Sequence, residues 1–245
     1  MIKSRVHTRA AYRMNSHLGE DLTPRCRARD ERAGMTLPKW LIQLIFRLLY
    51  YEMAWAYDLV AWLVSFGQWA AWRRTVVPYL RAGPLLDLAH GTGGLMADLA
   101  EMGLTPVGLD LSPYMGRIAR RRLLRKRTVP RLVRGKAQHL PFRDGSFANI
   151  VMTFPAEFAL ERRTLMEAAR VLQPQGRLVI VAMGYMRPVP VLRQLIQWAY
   201  ALTTAHKVSE KDVLARIRAA GFAVHWEDAQ WEGACARLLI ATRDG

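Results

Sequence analysis

The stretch Leu85-Leu86-Asp87-Leu88-Ala89-His90-Gly91-Thr92-Gly93-Gly94 decides the fold. An apolar run short enough to be one buried strand passes without a linker into a glycine turn, and helical spacing resumes over Gly94 to Met102. Gly91 and Gly93 let the backbone turn tightly and come close to a ligand, while the helix start beyond them offers free amide donors. A second run, Pro106 to Asp110, ends in an acid, at the distance of roughly twenty residues where a carboxylate can accept from both hydroxyls of a ribose. The two strand ends together describe a nucleoside pocket at the carboxyl edge of a parallel sheet.

A nicotinamide fingerprint requires glycines at i, i+2 and i+5. Counted from Gly91, the third position is Met96; counted from Ala89, the first glycine is missing. The phosphate loop G-x-x-x-x-G-K-[ST] is absent.

Outward from this loop, strands are expected at Leu85 to Ala89, Pro106 to Asp110, Arg131 to Gly135, Ala148 to Phe154 and Arg177 to Met183. Helices are expected between them at Gly94 to Met102, Pro113 to Arg125 and Arg162 to Leu172. This alternation predicts a mostly parallel sheet covered on both faces. The last two strands, Phe222 to Glu227 and Ala236 to Thr242, are joined by a polar turn over Asp228 to Gly233 too short for a crossover helix, so they are expected to be antiparallel neighbours. The expected fold is a doubly wound, Rossmann-like α/β sheet of seven strands, with an antiparallel last strand and an N-terminal helical cap. Three regions follow: a disordered basic arm over residues 1–36, a helical cap or lid over 37–82, and a ligand-binding domain over 83–245. Met35 is an alternative translation start that would remove the arm.

The 245 residues carry 36 Lys and Arg against 20 Asp and Glu, a net charge of +16, with 51% hydrophobic residues. That balance belongs to a globular protein with its own core. Cys26 and Cys235 lie far apart and outside any C-x-x-C pair, so neither a zinc cluster nor a disulfide framework is expected, and no metal. The apolar run Leu59 to Trp72 is shorter than a bilayer span and is bounded by Asp58 and Arg73.

Four segments, in order, resemble the class I S-adenosylmethionine-dependent methyltransferases, in particular the group of ubiquinone and menaquinone biosynthesis. They are Leu86 to Gly93, Val107 to Met115, Ala137 to Phe147 and Glu167 to Leu178, within a resemblance spanning Tyr57 to Thr242. The resemblance implies S-adenosylmethionine as cofactor. Asp87 and the turn Ala89, His90, Gly91, Thr92 and Gly93 would hold its methionine part, Asp110 the ribose, and Leu111 and Met115 the faces of the adenine. Ala137 and Gln138 would meet the adenine edge, and Phe154 would border the transferred methyl group. Tyr57 would close over the cofactor. Two positions depart from the family pattern: Ala89 replaces its first glycine, and Lys136 stands where an aspartate usually accepts from the adenine amino group, which an ammonium cannot do.

The resemblance implies a methyltransferase acting on a small apolar acceptor, a quinone precursor or lipid-like molecule. An RNA or protein methyltransferase, suggested by the charge, and a non-catalytic binding module, suggested by Lys136, are the alternatives. His90 is a candidate base inside the loop, or a ring that orders the turn. His206 is a second candidate, on the substrate side with Tyr57 and Phe154. The basic run from Arg117 to Arg134 and the tryptophans of the cap suit a peripheral contact with an anionic membrane better than nucleic acid, so the expected location is the cytoplasm, with membrane association.

Overall fold

The computed structural model describes residues 61–62, 65–185 and 209–244; the basic arm, most of the cap, Tyr57 and His206 lie outside them. Seven strands form one sheet: β1 (Leu85–Leu88), β2 (Val107–Asp110), β3 (Leu132–Arg134), β4 (Phe147–Thr153), β5 (Leu172–Tyr185), β6 (Phe222–Trp231) and β7 (Ala234–Arg243). Their order is β3-β2-β1-β4-β5-β7-β6. The first five run parallel, and β7 is antiparallel to both β5 and β6.

The described helices are α1 (Trp69–Arg74), α2 (Gly94–Glu101), α3 (Pro113–Arg125), α4 (Arg162–Val171) and α5 (Glu210–Arg218). β1 is buried on both faces, as a central parallel strand must be, and its side chains divide between two cores. Leu86 and Leu88 join Ile150, Leu165, Ala168 and Ile217 on the side of α4 and α5. Leu85 joins Trp72, Leu95, Leu99 and Val179 on the side of α1 and α2. By strand alternation Asp87 points to this second side. Among the described helices, α1 and α2 therefore cover one face and α4 and α5 the other.

The doubly wound sheet with its antiparallel last strand is the expected one; some boundaries differ. β5 begins at Leu172, directly after α4, instead of Arg177, because Leu172 already pairs with Phe147 across a register shift. β6 and β7 continue toward each other until only Glu232 and Gly233 remain between them, both with positive φ (47° and 77°), the conformation a two-residue hairpin demands. α5, between β5 and β6, is an additional helix beyond the three expected.

α1 belongs to the cap region yet is fused to the sheet. Phe66 and Gly67, both at positive φ (50° and 77°), turn the chain into it, and Trp72 is only 1% exposed.

Candidate functional site

The loop from Ala89 to Gly93 crosses the carboxyl ends of β1 and β2. Its turn is made by Ala89, Gly91 and Gly93 at φ 64°, 54° and 72°. The Ala89 and His90 amides both donate to the Leu109 carbonyl, at 2.7 and 3.2 Å, which pins the loop to β2. Gly93 lies so close to α3 that a Cβ on it would stand 2.7 Å from that of Ala119. Above Gly91 a Cβ would meet nothing within 4 Å among the described residues. Thr92 is buried, and its carbonyl and hydroxyl oxygens both accept from Nη1 of Arg122, at 3.0 and 2.9 Å.

His90 is folded inward. Its Nδ1 lies 2.8 Å from the Gly91 carbonyl; since a carbonyl only accepts, Nδ1 carries the proton and Nε2 a lone pair. The ring is 6% exposed. Its Cδ2 lies 2.8 Å from where a Cβ on Gly108 would stand, so glycine in β2 makes the room for it. Burial lowers the pKa of His90 below the ordinary 6.5, against the opposing pull of Asp110, and keeps the ring neutral.

Two carboxylates flank the turn in different states. Asp110 accepts from the Gly91 amide at Oδ2 (2.9 Å) and from the Ser112 amide at Oδ1 (2.8 Å), leaving each oxygen a second lone pair for a ligand hydroxyl. Ser112 caps α3 by accepting from the Met115 amide (3.3 Å), with Pro113 in the first turn, which sets where the chain leaves the site. Asp87 is 1% exposed, and neither of its oxygens has a hydrogen-bond partner among the described residues. Burial first, and the charge of Asp110 second, push its pKa up from 3.8 to about 7, against the opposing field of Arg73. An unpartnered buried carboxylate is costly, and a cationic ligand group would relieve it.

Beyond Asp110, Leu111 is 47% exposed, whereas Met115 is fully buried. Ala137 is buried, and Gln138 donates to Glu161 (2.8 Å). Lys136 is exposed. At the end of β4, Phe154 takes a positive φ of 49° while its amide donates to the Val181 carbonyl (2.9 Å). Its ring stacks on Trp69 of α1 with centroids 4.2 Å apart and meets Trp72 edge-on at 6.2 Å. The structure thus brings Asp87, the turn, Asp110, Leu111, Ala137, Gln138 and Phe154 to the carboxyl ends of four adjacent strands. Tyr57 and His206 lie outside the described residues. Among the described residues there is no cluster of metal-ligating side chains.

This arrangement fits a zwitterionic nucleoside: a buried acid for an ammonium, a strand-end acid for a ribose, and a glycine turn between them. A family model described as a methyltransferase domain matches residues 86–180, the segment holding β1 through most of β5. A demethylmenaquinone methyltransferase of Thermus thermophilus is 35% identical over 205 residues, covering 73% of this chain and 93% of that protein. The chain belongs to the class I S-adenosylmethionine-dependent methyltransferases of the menaquinone group. Solved structures agree on the fold. A putative S-adenosylmethionine-dependent methyltransferase from Methanococcus maripaludis superposes with a TM-score of 0.59 at 17% identity, covering 78% of this chain and 92% of that one. The geranyl diphosphate C-methyltransferase of Streptomyces coelicolor, solved with S-adenosylhomocysteine, superposes at 0.53 and 17% identity, over 71% and 78% of the chains. The protein is a methyltransferase that uses S-adenosylmethionine as its methyl donor.

Sequence reasoning missed three residues of this methyltransferase, Arg73, Arg74 and Asp98, whose ion pairs join α1 to α2. Asp98 is buried and accepts from Nε of Arg73 (2.6 Å) at one oxygen and from Nη2 of Arg74 (2.9 Å) at the other. The signal was present: Asp98 falls on the apolar side of its helix, beside Leu95 and Leu99, where an acid needs a cationic partner.

Proposed function

We propose that this methyltransferase methylates a small, apolar, planar acceptor of the quinone-precursor class. The observation that carries the reading is its relation to a demethylmenaquinone methyltransferase along nearly the whole of that protein. The stacked Trp69 and Phe154 rings support it by offering a flat apolar wall beside the turn, suited to an aromatic face.

S-adenosylmethionine supplies a methyl group activated by its sulfonium. The chain's own residues bind, align and dehydrate. Asp87 would accept from the cofactor's ammonium, with the turn Ala89 to Gly93 beneath the methionine part. Asp110 would accept from the ribose hydroxyls. Leu111 would cover the adenine with Met115 as its backing, and Ala137 and Gln138 would border its edge. Phe154 and Trp69 would hold the acceptor in line and exclude water, which is the main contribution such a transfer asks of a protein. We assign His90 to ordering the turn, since its ring is buried and bonded to Gly91. Tyr57 and His206 keep the acceptor-side roles that the resemblance implies.

Among the described residues no helix is long and apolar enough to cross a membrane. We place the enzyme in the cytoplasm, reaching its apolar acceptor by peripheral contact of its tryptophan-rich N-terminal segment with the membrane.

The test is transfer of labelled methyl from S-adenosylmethionine to demethylated quinones, read in the organic phase. Label should enter the quinone and be lost in Asp110→Ala, whose cofactor binding should fall below detection while its circular dichroism stays native. Label appearing only in RNA or protein would overturn the acceptor assignment; unchanged cofactor binding in Asp110→Ala would overturn the ribose placement.

A further inference from the structure

From Leu111 to Lys136 the chain carries ten Lys and Arg and no Asp or Glu, and α3 displays much of this charge on one flank. Arg117, Arg121 and Arg125 follow one another four residues apart on the helix and all are exposed, as is Arg120 beside them. Like charges at that spacing repel and weaken a helix. Part of the run is engaged within the fold: Arg122 donates to Thr92, Lys126 pairs with Glu101 at 2.6 Å, and Arg117 lies over the Tyr114 ring at 4.5 Å. Arg120, Arg121 and Arg125 have no acidic partner among the described residues. Apolar side chains stand among them, with Leu124 48% and Val129 77% exposed. Beside Val129 the ends of α2 and α3 leave a groove floored by the buried Met96, Leu123 and Pro106 and rimmed by Arg127 and Arg131. Guanidiniums without acids, interleaved with apolar side chains, match a surface that is anionic outside and apolar just beneath.

From this juxtaposition we infer that the α3 flank, from Arg117 to the groove beside Val129, docks on an anionic lipid bilayer. The guanidiniums meet the lipid phosphates, and Leu124 and Val129 reach below them. A polynucleotide fits less well, because unpaired bases need aromatic platforms and Tyr114, the flank's aromatic ring, already lies against Arg117. α3 packs on α2 through Leu123 against Met96 and Ala97, and α2 shares its core with Trp72 of α1. The flank therefore lies on the side of the sheet that α1 covers. The tryptophan-rich segment that precedes α1 in sequence is the contact already proposed; a basic surface on this side supplies the second signal that stable peripheral anchoring takes. The inference extends the reading of an apolar acceptor reached at the membrane, on which it rests.

The experiment measures sedimentation of the full chain with vesicles of phosphatidylcholine alone and with vesicles containing an equal part of phosphatidylglycerol. Each basic residue near an anionic surface contributes roughly fivefold. Arg120→Gln, Arg121→Gln and Arg125→Gln together should therefore cut the preference for anionic vesicles about 100-fold, without lowering the melting temperature. Lys3→Gln, Arg5→Gln and Arg9→Gln, which remove the same charge far from α3 in sequence, should cut it by no more than about tenfold. Leu124→Ser with Val129→Ser should weaken binding to the anionic vesicles roughly tenfold, a loss that a purely electrostatic contact would not show. Equal losses from the two charge-removing triples would mean a net-charge effect and overturn the inference. So would an unchanged preference in the α3 triple, or binding to a single-stranded RNA that exceeds vesicle binding and ignores the two serines. Vesicle binding is read without acceptor, so a wild type that sediments as expected yet transfers no methyl group to a quinone would support this surface and overturn the acceptor reading.

Discussion

Asp87 makes cofactor affinity depend on pH. In the free enzyme its pKa stands near 7 because burial penalises the ionised form and Asp110 adds repulsion. The value is raised above the ordinary 3.8, so between these two the native state holds a proton that the unfolded chain has released. Stability of the free enzyme therefore falls as pH rises from about 4 to 7. Above that window the buried charge costs about 4 kcal/mol, from three pH units at 1.4 kcal/mol each. An ammonium set beside Asp87 favours the ionised form, so binding below pH 7 must expel the proton. Apparent affinity for S-adenosylmethionine should then fall roughly eightfold from pH 7.5 to pH 6.0. Titration calorimetry in two buffers of different ionisation enthalpy should count close to one proton released per ligand at pH 6.0. Asp87→Asn should bind weakly, with affinity independent of pH over the same range, and its free form should be more stable than wild type at pH 8. A flat profile in the wild type, or the same slope in Asp87→Asn, would refute the placement of the ammonium.

Two further expectations concern the loop. Ala89 holds a left-handed φ of 64°, which costs an L-residue roughly 1 kcal/mol. Ala89→Gly should recover about half of that after its own unfolded-state entropy is counted and raise the melting temperature by roughly 1–2 °C; a lower melting temperature would show the alanine to be unstrained. Gly108→Ala would put a methyl group 2.5 Å from Sδ of Met96 and 2.8 Å from Cδ2 of His90. It should destabilise by about 1–3 kcal/mol and weaken cofactor binding by displacing the His90 loop, which denaturant titration and calorimetry can separate; a neutral effect on both would argue against the packing described.

The loop and its two acids were legible because each depends on local chemistry. Glycines mark a backbone that must turn left-handed and stay bare, and an acid closing an apolar run is conspicuous wherever it ends. The strand and helix alternation that sets a doubly wound sheet is likewise written residue by residue, from Leu85 through Val181. What sequence left open lies in contacts between distant segments. Asp98 read as one more helix residue until α1 brought Arg73 and Arg74 onto it. The need for glycine at positions 94 and 108 comes from side chains of Arg73, His90 and Met96 arriving from elsewhere in the chain. From sequence His90 reads either as a base or as a ring that orders the turn, and the burial of that ring beside Gly108 comes only with the fold. Sequence fixes which groups exist and how the backbone bends near them; the dielectric around Asp87, and the cation that opposes it, arise only when the layers close over the sheet.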